Sequence, residues 1–323
     1  MRNHKRQYIY FCLPMAIFFI CLLSSFNHKS NDKSNANTYH IDYSCVKVPT
    51  SIEFCGKTID LSRYDRRERM DRELLAFSYM HSTSIQMLKR ANRYLPVIEP
   101  ILKANNIPDD FKYLMLIESG ANPRARSGTG AAGLWQFMPA TAQSYGLEVN
   151  RFIDERYDIE KSTVAACKYL HEAYEIFGNW ESVAASYNAG KARISQFMNK
   201  QQQSTSLDLY MAEETSRYVY RIFVAKIFVN NPSLFGFNLR SEDLYPQIPY
   251  TVVKTNQTIT DLAEFAKEQG ITYAILKDMN PWLRDTSMPC TGKKTYSIKI
   301  PTKEGIYYKP SQTKVHNKNC VIE

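Results

Sequence analysis

Residues 108–137 read PDDFKYLMLIESGANPRARSGTGAAGLWQF. Pro108 followed by Asp109 and Asp110 starts a helix, because proline blocks anything before it and aspartate suits the first turn. Along that helix Phe111, Leu114, Met115 and Glu118 share one face at i, i+3, i+4 and i+7. A carboxylate on an apolar stripe is costly while it is ionised. Desolvation would lift it from the reference pKa of about 4.3 toward the roughly 6–7 that a general acid at neutral pH requires. The other reading is a helix-end glutamate turned to water, and periodicity alone does not separate the two. Ser119-Gly120-Ala121-Asn122-Pro123 then stops the helix, and a small-residue loop, Ser127 to Gly133, leads into Leu134-Trp135-Gln136-Phe137. Glycines there let backbone approach a bulky ligand. Trp135 and Gln136 would add a flat face and an amide, both suited to a sugar chain. Gly128, Gly130 and Gly133 also match the G-x-G-x-x-G dinucleotide fingerprint, with Asp154 lying 21 residues on. That fingerprint needs a preceding strand inside a βαβ unit, and residues 122–126 offer none.

On either side the pattern is helical almost throughout, from Asp65 to about Asn230. A charged helix is expected over Asp65–Asn92. Another spans Ile159–Phe177, with Ala166, Tyr169, Leu170, Ala173, Tyr174 and Phe177 on one face and Gly178 as its stop. Trp180–Tyr187 and Met211–Val229 complete the set. Pro232 and Pro246 bracket a change of character. Beyond it, Tyr250–Lys254 alternates like a strand, Ile259–Gln269 and Tyr273–Met279 read as helices, and Tyr296–Pro301 as a closing strand. The expected division is a signal segment over 1–27, a polar linker and extension over 28–62, a helical domain over 63–235, a β-α-α-β module over 248–302 and a loosely ordered tail over 303–323.

The chain has 323 residues, about two domains' worth. With 44% hydrophobic and 13% aromatic residues it is neither disordered nor collagen-like. Arg2, Lys5 and Arg6 precede Tyr8–Phe26, an uncharged stretch of the ~20-residue length that spans a bilayer. This is the layout of an export signal. Ser24 and Ser25, flanked by Leu23 and Phe26, are poorly placed for cleavage, which favours an uncleaved signal anchor over a cleaved signal peptide. Only one such stretch exists, so a multi-span transporter is excluded. Forty-one Lys and Arg against 32 Asp and Glu leave a net charge of +9, which suits an anionic partner. The basic residues are scattered and export removes the partner, so nucleic acid is disfavoured. Cysteines at 12, 21, 45, 55, 167, 290 and 320 form no C-x-x-C pair, so zinc and thioredoxin-like chemistry lack support. Export permits disulfides, and Cys45–Cys55 and Cys290–Cys320 are the candidate pairs.

Four groups in order carry a resemblance: Glu118-Ser119; Gly133-Leu134-Trp135-Gln136-Phe137; Ser186-Tyr187-Asn188-Ala189-Gly190; and Glu214-Thr215 with Tyr218-Val219. Over roughly residues 95–230 the chain resembles the soluble lytic transglycosylase family. Ile153-Asp154-Glu155-Arg156-Tyr157-Asp158 and Phe177-Gly178-Asn179-Trp180 resemble its branch of membrane-bound lytic transglycosylase D. The resemblance implies a mainly α, goose-lysozyme-like catalytic domain with a long sugar-binding cleft, acting on peptidoglycan glycan strands in the cell envelope without cofactor or metal. One glutamate protonates the leaving oxygen between N-acetylmuramic acid and N-acetylglucosamine. It then takes the proton of the muramoyl 6-hydroxyl, which closes a 1,6-anhydro ring. Ordinary glycosidases need two carboxylates, about 5–5.5 Å apart when retaining and about 6.5–9.5 Å when inverting. An intramolecular nucleophile, helped by the substrate's N-acetyl group, removes that need.

Carried over residue by residue, the resemblance implies Glu118 as the catalytic group, Ser127 and Gln136 as hydrogen-bond partners of the reacting sugar, Tyr187 and Asn188 as shapers of the cleft floor, and Tyr218 as the tyrosine facing Glu118. Tyr250–Lys254, Ile259 with Leu262-Ala263, Leu276 with Asn280, and Ile298-Lys299-Ile300-Pro301 resemble a LysM glycan-binding module. Thr255-Asn256-Gln257 departs from the usual Gly-Asp after the first strand, and 288–294 carries an extra cysteine. Two other functions stay open. One is a hydrolytic muramidase using a second carboxylate such as Asp154 or Asp158; the other is a non-catalytic wall-binding protein.

Overall fold

The computed structural model describes residues 45–290 and 292–322. The expected anchor Tyr8–Phe26 lies outside the described residues, and among those described no helix is long and apolar enough to cross a membrane.

The fold begins in a stretch expected to be linker. Ser51–Phe54 (β1) and Lys57–Asp60 (β2) pair antiparallel, Ser51 opposite Asp60. Cys55 and Gly56 turn between them with φ of 51° and 79°, the left-handed pair that suits the twist of a two-residue hairpin. Ile52, Phe54, Ile59 and Leu61 are buried. Phe54 meets Phe111 and Phe223 with ring centroids 6.1 and 5.1 Å away. The hairpin is therefore part of the core. Its four-residue strands, set among polar neighbours, were too short for their alternation to stand out.

Tyr64–Tyr79 (α1) and His81–Ala104 (α2) divide the single helix expected over 65–92 at Met80. α2 also runs through Pro96 and Pro100, because Leu95, Ile98 and Leu102 keep its buried stripe continuous. Phe111–Ser119 (α3) and the short Pro139–Ser144 (α4) follow. Ile159–Phe177 (α5) has the expected bounds: the Asp158 carboxylate accepts the Lys161 N–H at one end, and Gly178 is left-handed at the other. Trp180–Ala189 (α6) is capped by Asn179, and Lys191–Gln201 (α7) and Glu213–Asn230 (α8) complete the helical part. α8 packs on α1, α3 and α6, and Phe111, Leu114, Met115, Trp135, Ile222, Phe223 and Phe228 fill the space between.

In the second part Tyr250–Thr255 (β3) and Tyr296–Pro301 (β4) pair antiparallel, Tyr250 opposite Pro301. Leu262–Glu268 (α9) and Tyr273–Met279 (α10) lie between them in sequence. The class is as expected, mainly α with a β-α-α-β unit. That unit is not separate: Ala132, Ile153 and Tyr157 of the helical part share its core with Leu262, Leu276, Leu283 and Met288. The tail is not loose either. The His316 N–H donates to Asn92 Oδ1 (2.8 Å), Asn317 Nδ2 to Asn230 Oδ1 (3.1 Å), and Cys320 is buried against the Val229 carbonyl. These contacts are polar and far apart in sequence, which a compositional reading cannot see. Cys45, Cys55, Cys167, Cys290 and Cys320 are all free thiols, so neither candidate disulfide forms.

Candidate active site

α3 ends where Gly120 takes a left-handed φ of 57° and returns its N–H to Leu116 O (2.8 Å). This puts Glu118 on the last turn, on the stripe of Phe111, Leu114 and Met115, which are fully buried. Glu118 itself is half-buried. Tyr218, buried on α8, donates its hydroxyl hydrogen bond to Glu118 Oε1. Burial pushes the Glu118 carboxyl up to about 7, against the opposing pull of the Tyr218 hydrogen bond and the Arg221 cation and with a smaller upward push from Glu214. Arg221 is held in turn, since Arg217 and Arg221 both pair with Glu73, a carboxylate buried on α1 (Arg221 Nε to Oε2 3.4 Å).

Tyr187 joins this group from α6. Its phenol is pushed well above the ordinary range, first by burial and then by the charge of Glu118, and its hydroxyl donates to Trp135 O (2.7 Å). That bond ties the 127–137 loop to Tyr187. Within the loop Gln136 is left-handed (φ 48°), and its Nε2 donates to Gly133 O (2.8 Å) and Ala125 O (3.2 Å). Both amide hydrogens are thereby held and the carboxamide has one orientation. Ser127 Oγ accepts the Ala131 N–H (3.0 Å) and lies 2.9 Å from Thr129 Oγ1. Asn188, beside Tyr187, is exposed. So Tyr218 meets Glu118 directly, Tyr187 lies near enough to feel its charge, and Gln136 and Ser127 share a loop joined to Tyr187 through Trp135 O.

Three expectations need correction. Trp135 offers no flat face to a ligand: it is fully buried, and its indole N–H donates to Thr163 Oγ1 (3.0 Å). Asp154 is no spare carboxylate, because it forms a buried bidentate pair with Arg156 (Oδ1–Nε 2.9 Å, Oδ2–Nη2 2.7 Å). Asp158 is occupied as the cap of α5. Arg156, to which the sequence alone assigned no role, stands inside the 153–158 motif. Its Nη1 donates to both Gly130 O (2.8 Å) and Phe137 O (2.9 Å). Gly133 packs so closely beneath it that a Cβ there would lie 1.8 Å from Arg156 O. Gly133 thus serves backbone packing, and the loop is no dinucleotide cradle. Among the described residues no cluster of His, Cys, Asp or Glu could hold a metal ion.

Residues 96–209 match the transglycosylase SLT domain. The chain carries an SLT domain. Residues 251–304 match the soluble lytic transglycosylase C-terminal LysM-like domain, so an SLT domain and a LysM-like domain follow one another. Both agree with the mainly α class read from the sequence. The SLT match takes in Glu118, Ser127, Gln136, Tyr187 and Asn188, and ends before Tyr218. Over 231 residues the chain is 28% identical to membrane-bound lytic murein transglycosylase D of Escherichia coli (strain K12), covering 70% of this chain and 50% of that protein. It therefore spans about half the length of that relative. It is also 36% identical over 73 residues to a transglycosylase of Enterobacteria phage PRD1, covering 23% of this chain and 25% of that one. Among solved structures, the 70 kDa soluble lytic transglycosylase Slt70 of Escherichia coli aligns with a TM-score of 0.38 at 20% identity, over 50% of this chain and 30% of that one.

Proposed function

We propose that this chain is a peptidoglycan lytic transglycosylase in which Glu118 serves first as acid and then as base. The observation that carries the reading is a carboxyl of pKa about 7, hydrogen-bonded by Tyr218, while Asp154 and Asp158, the two carboxylates that hydrolysis would have recruited, are engaged by Arg156 and by the start of α5. At neutral pH such a group is protonated in a good fraction of molecules and can give its proton to the glycosidic oxygen. The bond from that oxygen to C1 of N-acetylmuramic acid then breaks, with the neighbouring N-acetyl carbonyl taking up the positive charge. The Glu118 carboxylate left behind accepts a hydrogen bond from Tyr218 and faces the Arg221 cation, which both favour its charged form. It next removes the proton from the 6-hydroxyl, whose oxygen closes on C1. No water enters, and Glu118 ends as it began.

Gln136, Ser127 and Asn188 are the polar groups proposed to hold the sugars. The oriented amide of Gln136 has its carbonyl oxygen to offer a sugar hydroxyl or N-acetyl N–H, and the exposed Asn188 can bond from the α6 side. Tyr187 contributes shape, since its hydroxyl is already engaged with Trp135 O. The LysM-like domain is proposed to add affinity for the same strands. Tyr8–Phe26 is proposed to hold the protein to the membrane of the cell envelope on its periplasmic side, a placement supported by that segment's composition and by the name of the membrane-bound relative.

Product mass decides between this reading and hydrolysis. Digestion of purified sacculi should yield ends lighter by one water, the mark of 1,6-anhydro sugars, whereas reducing ends would mean a hydrolase. Glu118→Gln should abolish turnover and leave strand binding in place. Full activity in that variant would remove Glu118 from the mechanism, and a wild-type protein that binds without cutting would mean a wall-binding role.

A further inference from the structure

The LysM-like domain meets the SLT domain along a seam of backbone as well as side chains. Ile153 and Leu283 form an antiparallel bridge. The Asp154 N–H donates to Trp282 O (2.9 Å), and the Arg284 N–H donates to Phe152 O (2.8 Å). Around the bridge, the Arg284 guanidinium lies 4.4 Å from the centre of the Tyr157 ring, and Lys294 reaches Glu148 (2.8 Å) and Glu155 (2.7 Å). Ala132, part of the loop itself, is buried in the LysM-like core.

The segment held at that seam, 152–157, is also the segment that holds the Gln136 loop. Asp154, fixed through its N–H to Trp282, grips two nitrogens of Arg156. The remaining Nη1 of Arg156 bonds the carbonyls of Gly130 and Phe137, one on each side of Gly133. Gly133 lies against Arg156 O, and its own carbonyl receives the Gln136 amide. A guanidinium does this because its planar fork satisfies one carboxylate and two carbonyls at once, which an ammonium on a flexible stem cannot.

We propose that the LysM-like domain acts as a clamp on the SLT domain's substrate loop, with Arg156 as the positioning residue that transmits its grip from Trp282 and Asp154 to Gly130, Phe137 and Gln136. What Gln136 does for substrate rests on the transglycosylase reading above; the mechanical coupling does not. A module that only tethered the enzyme to glycan would need no hydrogen bonds to the segment beneath the loop.

The test uses the full chain and two readouts. Hydrogen–deuterium exchange is followed in 127–137 and in α5 and α8 for Arg156→Lys, Leu283→Ala and Lys294→Met, and steady-state kinetics are measured on glycan strands. Loosened positioning should speed exchange in 127–137 by about tenfold or more in Arg156→Lys and, from across the seam, in Leu283→Ala, with α5 and α8 unchanged. KM should rise about tenfold with kcat within about threefold and the pH profile in place, since Glu118 is untouched. Lys294→Met, a change at the rim, should give the same pattern more weakly and serves should Leu283→Ala fail to fold. Loop exchange equal to wild type in the variants across the seam, or exchange raised uniformly through the chain, would overturn the clamp. The exchange arm needs no turnover. An inactive wild-type protein would therefore sink the transglycosylase reading and leave the clamp to stand or fall on exchange.

Discussion

Glu118 is raised in the folded chain, and the sign of that shift has a consequence for stability. The unfolded chain ionises Glu118 near the ordinary value of 4.5, whereas the folded one does so near 7. Below pH 4.5 the group is protonated in both states and costs nothing. Between 4.5 and 7 the unfolded state sheds the proton first, so folding stability falls as pH rises, and above 7 the full cost is present. Glu118→Gln, an uncharged mimic of the protonated form, should therefore be more stable than wild type by about 1–3 kcal/mol at pH 8 and nearly equal at pH 4. Thermal melts at the two pH values check this, and equal melting temperatures at pH 8 would mean the carboxyl is well solvated. Tyr218→Phe removes a hydrogen bond that favours the carboxylate, so the pKa of Glu118 should move higher still. The fall in activity above neutrality should shift to higher pH, while kcat drops by about tenfold or more because the ionised intermediate loses its donor. A pH–rate profile of this variant identical to wild type would exclude the contact. Sequence periodicity placed Glu118 on an apolar stripe but could not find Tyr218, 100 residues away, without the resemblance. It misplaced Trp135, because a tryptophan in a loop looks available until the partner of its N–H, Thr163, is known.

At the scale of elements, the three loop glycines separate by what surrounds them. Gly133 has a φ of 79° and no room for a Cβ against Arg156 O. Gly133→Ala should cost about 3 kcal/mol or more, from backbone strain and the clash together. Gly130 has a φ of 94° but open space, so Gly130→Ala should cost about 1–2 kcal/mol. Gly128 has neither constraint, and Gly128→Ala should stay within about 0.5 kcal/mol of wild type. Chemical denaturation of the three variants gives the ranking, and a Gly133 variant as stable as the Gly128 one would contradict the packing described. The end of α5 was readable because its stop signal, Gly178, is local. The break at Met80 and the hairpin were not. Met80 follows no proline or glycine, and the hairpin owes its place to Phe111 and Phe223, which lie far along the chain.

For the whole molecule, the shared core across Ala132, Ile153, Tyr157, Leu276, Leu283 and Met288 predicts one cooperative unfolding transition in calorimetry. Two resolved transitions would show that the SLT and LysM-like domains unfold independently. Burial alone would raise Glu155, but hydrogen bonds from Lys161, Lys294 and the Glu148 N–H hold it below its ordinary value. Its contribution is therefore present above the ordinary carboxylate pKa and lost as pH falls through the depressed one. Lys294→Met should cost about 1–3 kcal/mol at neutral pH and progressively less in acid, measured by the same melts. The sequence by itself determined α3, α5, α6 and α8 to within a few residues, the β-α-α-β unit, the carboxyl on an apolar stripe and the motifs, because each rests on signals within a few residues of one another. Only the tertiary structure decided that Tyr218 and Arg221 meet Glu118, that Asp154 is taken by Arg156, that the tail and hairpin are core, and that the two domains share a seam. These depend on groups distant in the chain finding complementary partners, and no local spacing encodes which charge or ring will be waiting.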